Sequence, residues 1–253
     1  MLKFQLDHIF SYRNPRDRIV AVNTAPKVLS AAYDNSFHRI APVDKALVVK
    51  ILSWILRAPR PLRIDELCEA LTVQKYDTNL ERESMPAPSE VIECSQSLIV
   101  HESSGNVRFA HFTVEQFVAG LGRELPPPSH LAETCLTYLS FDVFETGPCH
   151  DTESLVYRLE NYKFSGYAAL YWGYHCRGEP ERAPTIRDAI IKLLASENKR
   201  NSISQIEAYL SLKDQNMESF GASFPQGDSI LHLLAKNGLA IICADLLQPQ
   251  ENR

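Results

Sequence analysis

At 253 residues and 45% hydrophobic content, the chain carries enough apolar side chains to bury one large core or two small ones. Its 26 Lys and Arg stand against 31 Asp and Glu, a formal charge of -5, which excludes a general pull toward nucleic acid or an anionic membrane and leaves only local basic patches. The six cysteines (Cys68, Cys94, Cys135, Cys149, Cys176, Cys243) form no CxxC pair, and the start MLKFQLDHIF lacks the basic-then-apolar order of a signal peptide. This composition implies a reduced, intracellular protein, cytoplasmic or nuclear.

Residues 1–24 hold Phe4, Leu6, Ile9 and Phe10 before a charged stretch around Pro15, a pattern for two short helices. From Pro26, the positions Val28, Leu29, Ala32, Tyr33, Phe37 and Ile40 follow the i, i+3, i+4, i+7 spacing of an amphipathic helix that Pro42 ends. ALVVKILSWILRAPRP is apolar on nearly every side, which predicts a helix buried between neighbours and stopped at Pro59. Lys50 interrupts its longest apolar run, Ala46 to Leu56, which is far short of the roughly 20 residues a bilayer requires, so no membrane partner is expected.

RIDELCEALTV gives the next helix, with Asp65 near its start and Ile64, Leu67 and Leu71 on one face. A polar loop follows between Gln74 and Pro88, then a short helix over Ser89 to Ser97. The strand-like runs Leu98–His101 and Val107–Phe112 flank Gly105-Asn106, a hairpin signal. Three helices closed by a two-stranded hairpin are the winged-helix arrangement, so a winged helix is expected over residues 25–122, with Thr113 capping the helix after it.

Pro126 to Pro128 mark a boundary. LAETCLTYLSF, ESLVYRLENYKFSGYAALYWGYHC and TIRDAIIKLLAS then read as helices of a linker over residues 123–218. GDSILHLLAKNGLAIICADLL, within residues 219–253, is helix, Asn-Gly turn, helix. The expected fold is therefore mainly α, a winged helix with a small β-hairpin wing followed by a helical linker and a partial ankyrin repeat.

Taken in order, these segments resemble fungal NACHT and ankyrin-repeat proteins of the signal-transducing STAND (NLR-like) class. QLDHIFSYRNPRDRIVAVNTAPKVLSAAYDNSFHRI is similar to the end of the NACHT module, while ILSWILRAPRPLRIDELCEAL and VIECSQSLIVHESSGNVRFAHFTVEQFV are similar to the winged helix. FSGYAALYWGYHC resembles the linker signature, and Ser229, Ile230, Leu231 and His232 with Ala235 and Gly238 resemble the ankyrin Thr-Pro-Leu-His-x-Ala-x-x-Gly pattern, with Ile230 in place of its proline. The resemblance runs over almost the whole chain. The sequence holds no GxxxxGK[ST] loop, so the nucleotide-binding engine of that family is missing from it, and no cofactor is expected.

The chemistry-bearing residues take bland readings. His111 beside Phe112 and Thr113 suits packing and capping; Trp172 and His175 among Tyr167, Tyr171 and Tyr174 lack the further ligands a metal site needs. Cys149-His150-Asp151 and His175-Cys176 are adjacent in sequence, which is not the facing geometry of a nucleophile and its base. Arg57, Arg60 and Arg63 lie at a helix junction and read as a solvated turn. The Ser89–Ser97 helix that would enter a DNA groove contains Glu90 and Glu93 and no Lys or Arg, which disfavours direct DNA binding.

No catalytic, cofactor or metal residue is assigned, and no GxSxG elbow of a hydrolase occurs. The expectation is a non-enzymatic regulatory or scaffold protein that acts on unidentified protein partners. Two alternatives stay open: an ankyrin-type transcription co-regulator acting through protein contacts in the nucleus, and a mis-split fragment of a larger NTPase switch. One repeat cannot bury both faces, so Leu233, Ile241 and Leu246 are the candidate partner-binding residues, unless that end docks on the linker helices.

Overall fold

A computed structural model describes residues 14–17, 19, 33–34, 36–212 and 227–248. The two short helices expected before residue 24 lie outside the described residues apart from a helical turn at 15–17, and so does most of the helix expected from Pro26. Of the latter, 33–34 and 36–38 are helical, with Tyr33 and Phe37 buried.

Helix α1 (Pro42–Arg57) starts with proline in its first turn and Asp44 near its positive end, and it stops at Ala58, whose extended backbone suits the following Pro59. Val48, Ile51, Leu52 and Trp54 are fully buried, which makes α1 the central element of the N-terminal unit. Strand β1 (Leu62–Arg63) leads directly into α2 (Ile64–Thr72). The Glu66 carboxylate reaches back to accept the Arg63 backbone N–H at 2.8 Å, so Glu66, not Asp65, closes this helix start.

A loop containing a 3-10 turn (Arg82–Ser84) leads to α3 (Pro88–Cys94). This helix ends earlier than its sequence suggests, because the Ser95 hydroxyl turns back to the Val91 carbonyl at 2.7 Å and Gln96 and Ser97 take positive φ values of 49° and 64°. The turn delivers the chain to β2 (Ile99–His101), and Gly105, at φ 87°, makes the reversal into β3 (Asn106–Phe109).

The hairpin is not alone. β1 pairs antiparallel with β3, giving the order β1-β3-β2 with Leu62 opposite Val107 and Ile99 opposite Phe109. Leu62, Ile99, Val107 and Phe109 bury one face of this sheet, while α4 (Phe112–Gly120) packs Val114 and Val118 into the same core.

From residue 128 the chain is helical: α5 (Pro128–Leu139), α6 (Asp142–Glu145), α7 (Thr152–Asn161), α8 (Ser165–Cys176), α9 (Glu179–Arg182), α10 (Pro184–Ala195) and α11 (Glu197–Leu212). α5 and α8 pack on each other along their lengths and set Leu131, Cys135, Tyr138, Tyr167, Ala168 and Trp172 into a continuous core. Each such fully buried large side chain contributes on the order of 2 kcal/mol of transfer free energy. The last described elements, α12 (Ile230–Lys236) and α13 (Ala240–Leu247), pack on each other and are joined by Asn237, Gly238 and Leu239, with Gly238 at φ 68°.

Candidate interaction surfaces

The outward side of α3 is acidic. Glu90 and Glu93 are exposed, Val91 is buried beneath them, and the Glu90 carboxylate accepts the Ala87 N–H at 2.8 Å. On the neighbouring hairpin, the Arg108 guanidinium is paired with Glu102 and also donates to the Phe109 carbonyl at 3.1 Å. The adjacent carboxylate leaves this part of the hairpin locally near neutral rather than cationic. Arg63 lies alongside the hairpin turn, against Gly105.

Helices α1 and α2 of the N-terminal unit are joined to the linker through aromatic rings and buried polar contacts. Trp54 of α1 meets Phe164, Tyr167 and His175 edge-on at centroid distances of 5.4, 5.9 and 5.7 Å. Glu69 of α2, 3% exposed, accepts the Tyr138 hydroxyl from α5 and the Phe164 backbone N–H at 3.0 Å. Burial and this carboxylate push the Tyr138 phenol well above its usual range, so it stays a neutral donor. Arg60 forms a two-pronged pair with Glu66 at 2.7 and 2.8 Å while its guanidinium lies 5.0 Å from the Tyr167 ring.

A second set of contacts fastens α12 and α13 onto the linker. The Glu181 carboxylate, 3% exposed, accepts the backbone N–H groups of Ile241 and Ile242 at 2.7 and 2.9 Å, capping the start of α13 from another element. Arg177 donates to the Asn237 carbonyl at 2.6 Å, and the ion pairs Lys236–Glu207 and Arg187–Asp245 flank the joint.

Comparison with known protein families places residues 38–125 against the family described as GPI inositol-deacylase, winged helix domain. That match coincides with α1, α2, α3 and the β1-β3-β2 sheet. This segment is a winged-helix domain. Comparison with curated proteins gives no match, and comparison with solved structures gives none either.

Of Arg57, Arg60 and Arg63, read from sequence as a solvated turn, the first two instead join the winged-helix domain to its surroundings, while Arg63 is exposed within the domain's own sheet. Arg57 donates to the Pro126 carbonyl at 2.9 Å, Arg60 bridges to the linker, and Arg63 lies in β1. A two-residue strand is too short to show alternation, which is why it escapes sequence reading. His111, not Thr113, is the residue that caps α4: its Nδ1 accepts the Thr113 N–H at 3.3 Å and lies 2.9 Å from the Thr113 hydroxyl.

In the linker, Trp172 is 1% and His175 7% exposed, and His175 Nε2 lies 2.8 Å from the Tyr167 hydroxyl. Desolvation depresses the His175 pKa to about 4. Cys149 is held by Gln205, which bonds both its N–H and its carbonyl at 2.7 Å, while Asp151 caps α7 by accepting the Ser154 N–H at 2.7 Å. Gln205 thus engages only the backbone of Cys149, the Asp151 side chain serves as a helix cap, and burial raises the Cys149 thiol pKa. Among the described residues, no three His, Cys, Asp or Glu are grouped to hold a metal ion, and no helix is long and apolar enough to cross a membrane.

The three candidate partner-binding residues separate. Leu233 is 1% exposed inside the joint with the linker, Ile241 is half-buried beside Glu181, and Leu246 is 48% exposed. Docking on α9 and α10 has covered one face of the pair. Leu231, Leu246 and Leu247 remain at the surface.

Proposed function

We propose that the chain is a non-catalytic regulatory or scaffold module that acts through protein–protein contacts, as its resemblance to STAND-class architectures implies. The observation that carries this reading is the acidic outward face of α3. A winged helix that reads DNA lays its third helix in the major groove and its affinity rests on cations facing phosphates. Here that helix offers Glu90 and Glu93, and the neighbouring Arg108 sits beside the Glu102 carboxylate.

Further support comes from how the parts are joined. The winged-helix domain, the linker and the α12–α13 pair share buried contacts at Glu69 and Glu181, so the chain holds its surfaces in fixed relation. We take α12–α13 as an ankyrin-type unit: Ser229 caps α12 by accepting the His232 N–H at 3.3 Å, and its hydroxyl lies 3.1 Å from His232 Nδ1, as the Thr-Pro-Leu-His resemblance implies. The inositol-deacylase name belongs to the family's description; the chain itself has no GxSxG elbow, and its buried thiols are held protonated.

The test pairs two assays on the full chain. Fluorescence anisotropy with a labelled DNA duplex near physiological salt should show only binding weaker than about 10 μM, in the nonspecific range. Affinity capture from the native cell, followed by mass spectrometry, should return a partner that a Leu246→Asp, Leu247→Asp variant or a variant on another exposed face fails to hold. Tight duplex binding, or well-folded chain that captures nothing, overturns the reading.

A further inference from the structure

A cleft of about 620 Å3 runs between α5 and α10, within the range of about 300–1,000 Å3 typical of ligand sites. Its floor is apolar, formed by the buried Leu136 and Leu193 with Ala189 beside them. One end is closed by the loop at residues 75–78, which reaches over from the winged-helix domain. The Asp142 N–H donates to the Thr78 carbonyl at 2.8 Å, and Asn79 Nδ2 donates to the Asp142 carboxylate at 3.2 Å, so that loop is tied to the linker. Both parts of the chain therefore build the cleft.

Tyr76 stands on its rim, 82% exposed and with φ 75°. A tyrosine in the left-handed region costs about 1–2 kcal/mol, and a ring surrounded by solvent recovers none of this through packing. The Lys75 ammonium lies 5.1 Å from the ring centroid, so the ring face already receives a cation.

Carboxylates outnumber ammonium groups along the walls. Lys199 is paired with Glu145 at 3.0 Å, and Asp77 accepts the Gln74 N–H at 2.8 Å. The carboxylates of Glu133 on α5 and Asp188 on α10 make no hydrogen bond or ion pair among the described residues, and Lys192 is the one cation on the α10 wall. An apolar floor, unspent carboxylates on both walls and an aromatic rim together favour an occupant that is cationic at one point and apolar on either side of it.

We propose that this cleft binds an extended segment of a partner protein in which a lysine or arginine is flanked by apolar residues. The cation reaches Glu133 or Asp188, while its apolar neighbours lie against the half-buried Ala189 and the exposed Tyr76 ring. An exposed ion pair alone adds little; contact with Ala189 and the Tyr76 ring supplies the remainder, which a free polyamine would leave uncovered. This rests on the reading of the chain as a protein-binding module and assigns the chemistry of one partner.

The experiment selects a displayed random decapeptide library on the immobilised full chain near physiological salt, with a Glu133→Lys, Asp188→Lys variant of matched thermal unfolding as the counter-target. Enriched sequences should place one or two Lys or Arg among apolar residues. A fluorescein-labelled winner should bind the unaltered chain at least about tenfold tighter than the charge-reversed variant, the loss expected when roughly 1.4 kcal/mol of attraction is removed. It should bind Tyr76→Gly about threefold more weakly; glycine adopts the loop's φ freely, so that variant removes the ring without breaking the loop. No enrichment, enrichment of acidic or uncharged sequences, equal binding to the charge-reversed variant, or full displacement by spermidine overturns the proposal. A native partner captured equally by the unaltered chain and the charge-reversed variant also overturns it, yet leaves the protein-binding reading intact; that reading fails separately when no partner is captured at all.

Discussion

Gly173 on α8 and Asn237 at the turn between α12 and α13 meet with no room for a side chain between them: a Cβ on Gly173 would lie 2.1 Å from Asn237 Oδ1. The glycine is buried mid-helix, where it weakens α8 by about 1 kcal/mol relative to alanine, so its presence answers a packing need. Asn237 in turn is 7% exposed and donates to the Leu233 carbonyl at 2.9 Å, which leaves it little freedom to move aside. Gly173→Ala is therefore expected to loosen the terminal pair by about 1–3 kcal/mol, the usual cost of overpacking. Hydrogen exchange should accelerate over α12 and α13 and stay unchanged in α5. Adding Asn237→Gly should recover part of the loss, and a double variant no better than the single one would contradict this account.

Glu181 offers a finer test of the same joint. Its carboxylate satisfies two N–H groups at the start of α13 that the helix itself leaves unpaired. Glu181→Ala should cost about 1–3 kcal/mol by leaving them buried without acceptors, whereas Glu181→Gln keeps an acceptor oxygen and should cost less. Exchange rates at the Ile241 and Ile242 amides report the difference directly.

At the junction of the winged-helix domain and the linker, Tyr138→Phe removes one of the two donors to the buried Glu69 carboxylate and leaves only the Phe164 N–H. An under-satisfied buried carboxylate should lower the unfolding free energy by about 1–3 kcal/mol in denaturant titration. Glu69→Gln in the Tyr138→Phe background should cost less than it does alone, since the two changes share one network. Strict additivity would show that Glu69 and Tyr138 are not coupled.

These joints mark the border of what the sequence discloses. α1, α2 and the linker helices are legible because prolines at 42, 59, 128 and 184 bracket runs with clear apolar periodicity. The hairpin is legible because a glycine at 105 takes the positive φ its turn demands. What stays hidden is non-local. β1 exists only because Leu62 finds Val107, and Arg60 stops being a turn residue only because Tyr167 arrives from more than a hundred positions away. Leu233 looks like a surface residue until Glu181, Arg177 and Gly173 are brought beneath its helix pair. The cleft beneath Tyr76 is built by three separated segments, and no spacing in the chain announces it.

The buried imidazole of His175 sets a pH dependence whose sign follows from its surroundings. Trp54 and Tyr167 wall it in, and desolvation holds its pKa down at about 4, against about 6.5 for a histidine in the unfolded chain. Between these values the unfolded chain takes up a proton that the folded chain refuses, so the stability from keeping His175 neutral is fully present above about pH 6.5 and is lost as pH falls toward 4. The whole effect is on the order of 3 kcal/mol. His175→Gln can keep a polar partner for the Tyr167 hydroxyl while removing the titrating group. Urea unfolding at neutral pH and near pH 5 should then show the unaltered chain losing more stability than the variant. Equal losses would mean that His175 takes up its proton in the folded chain as readily as in the unfolded one, and that the Trp54–Tyr167 enclosure opens to admit the charge.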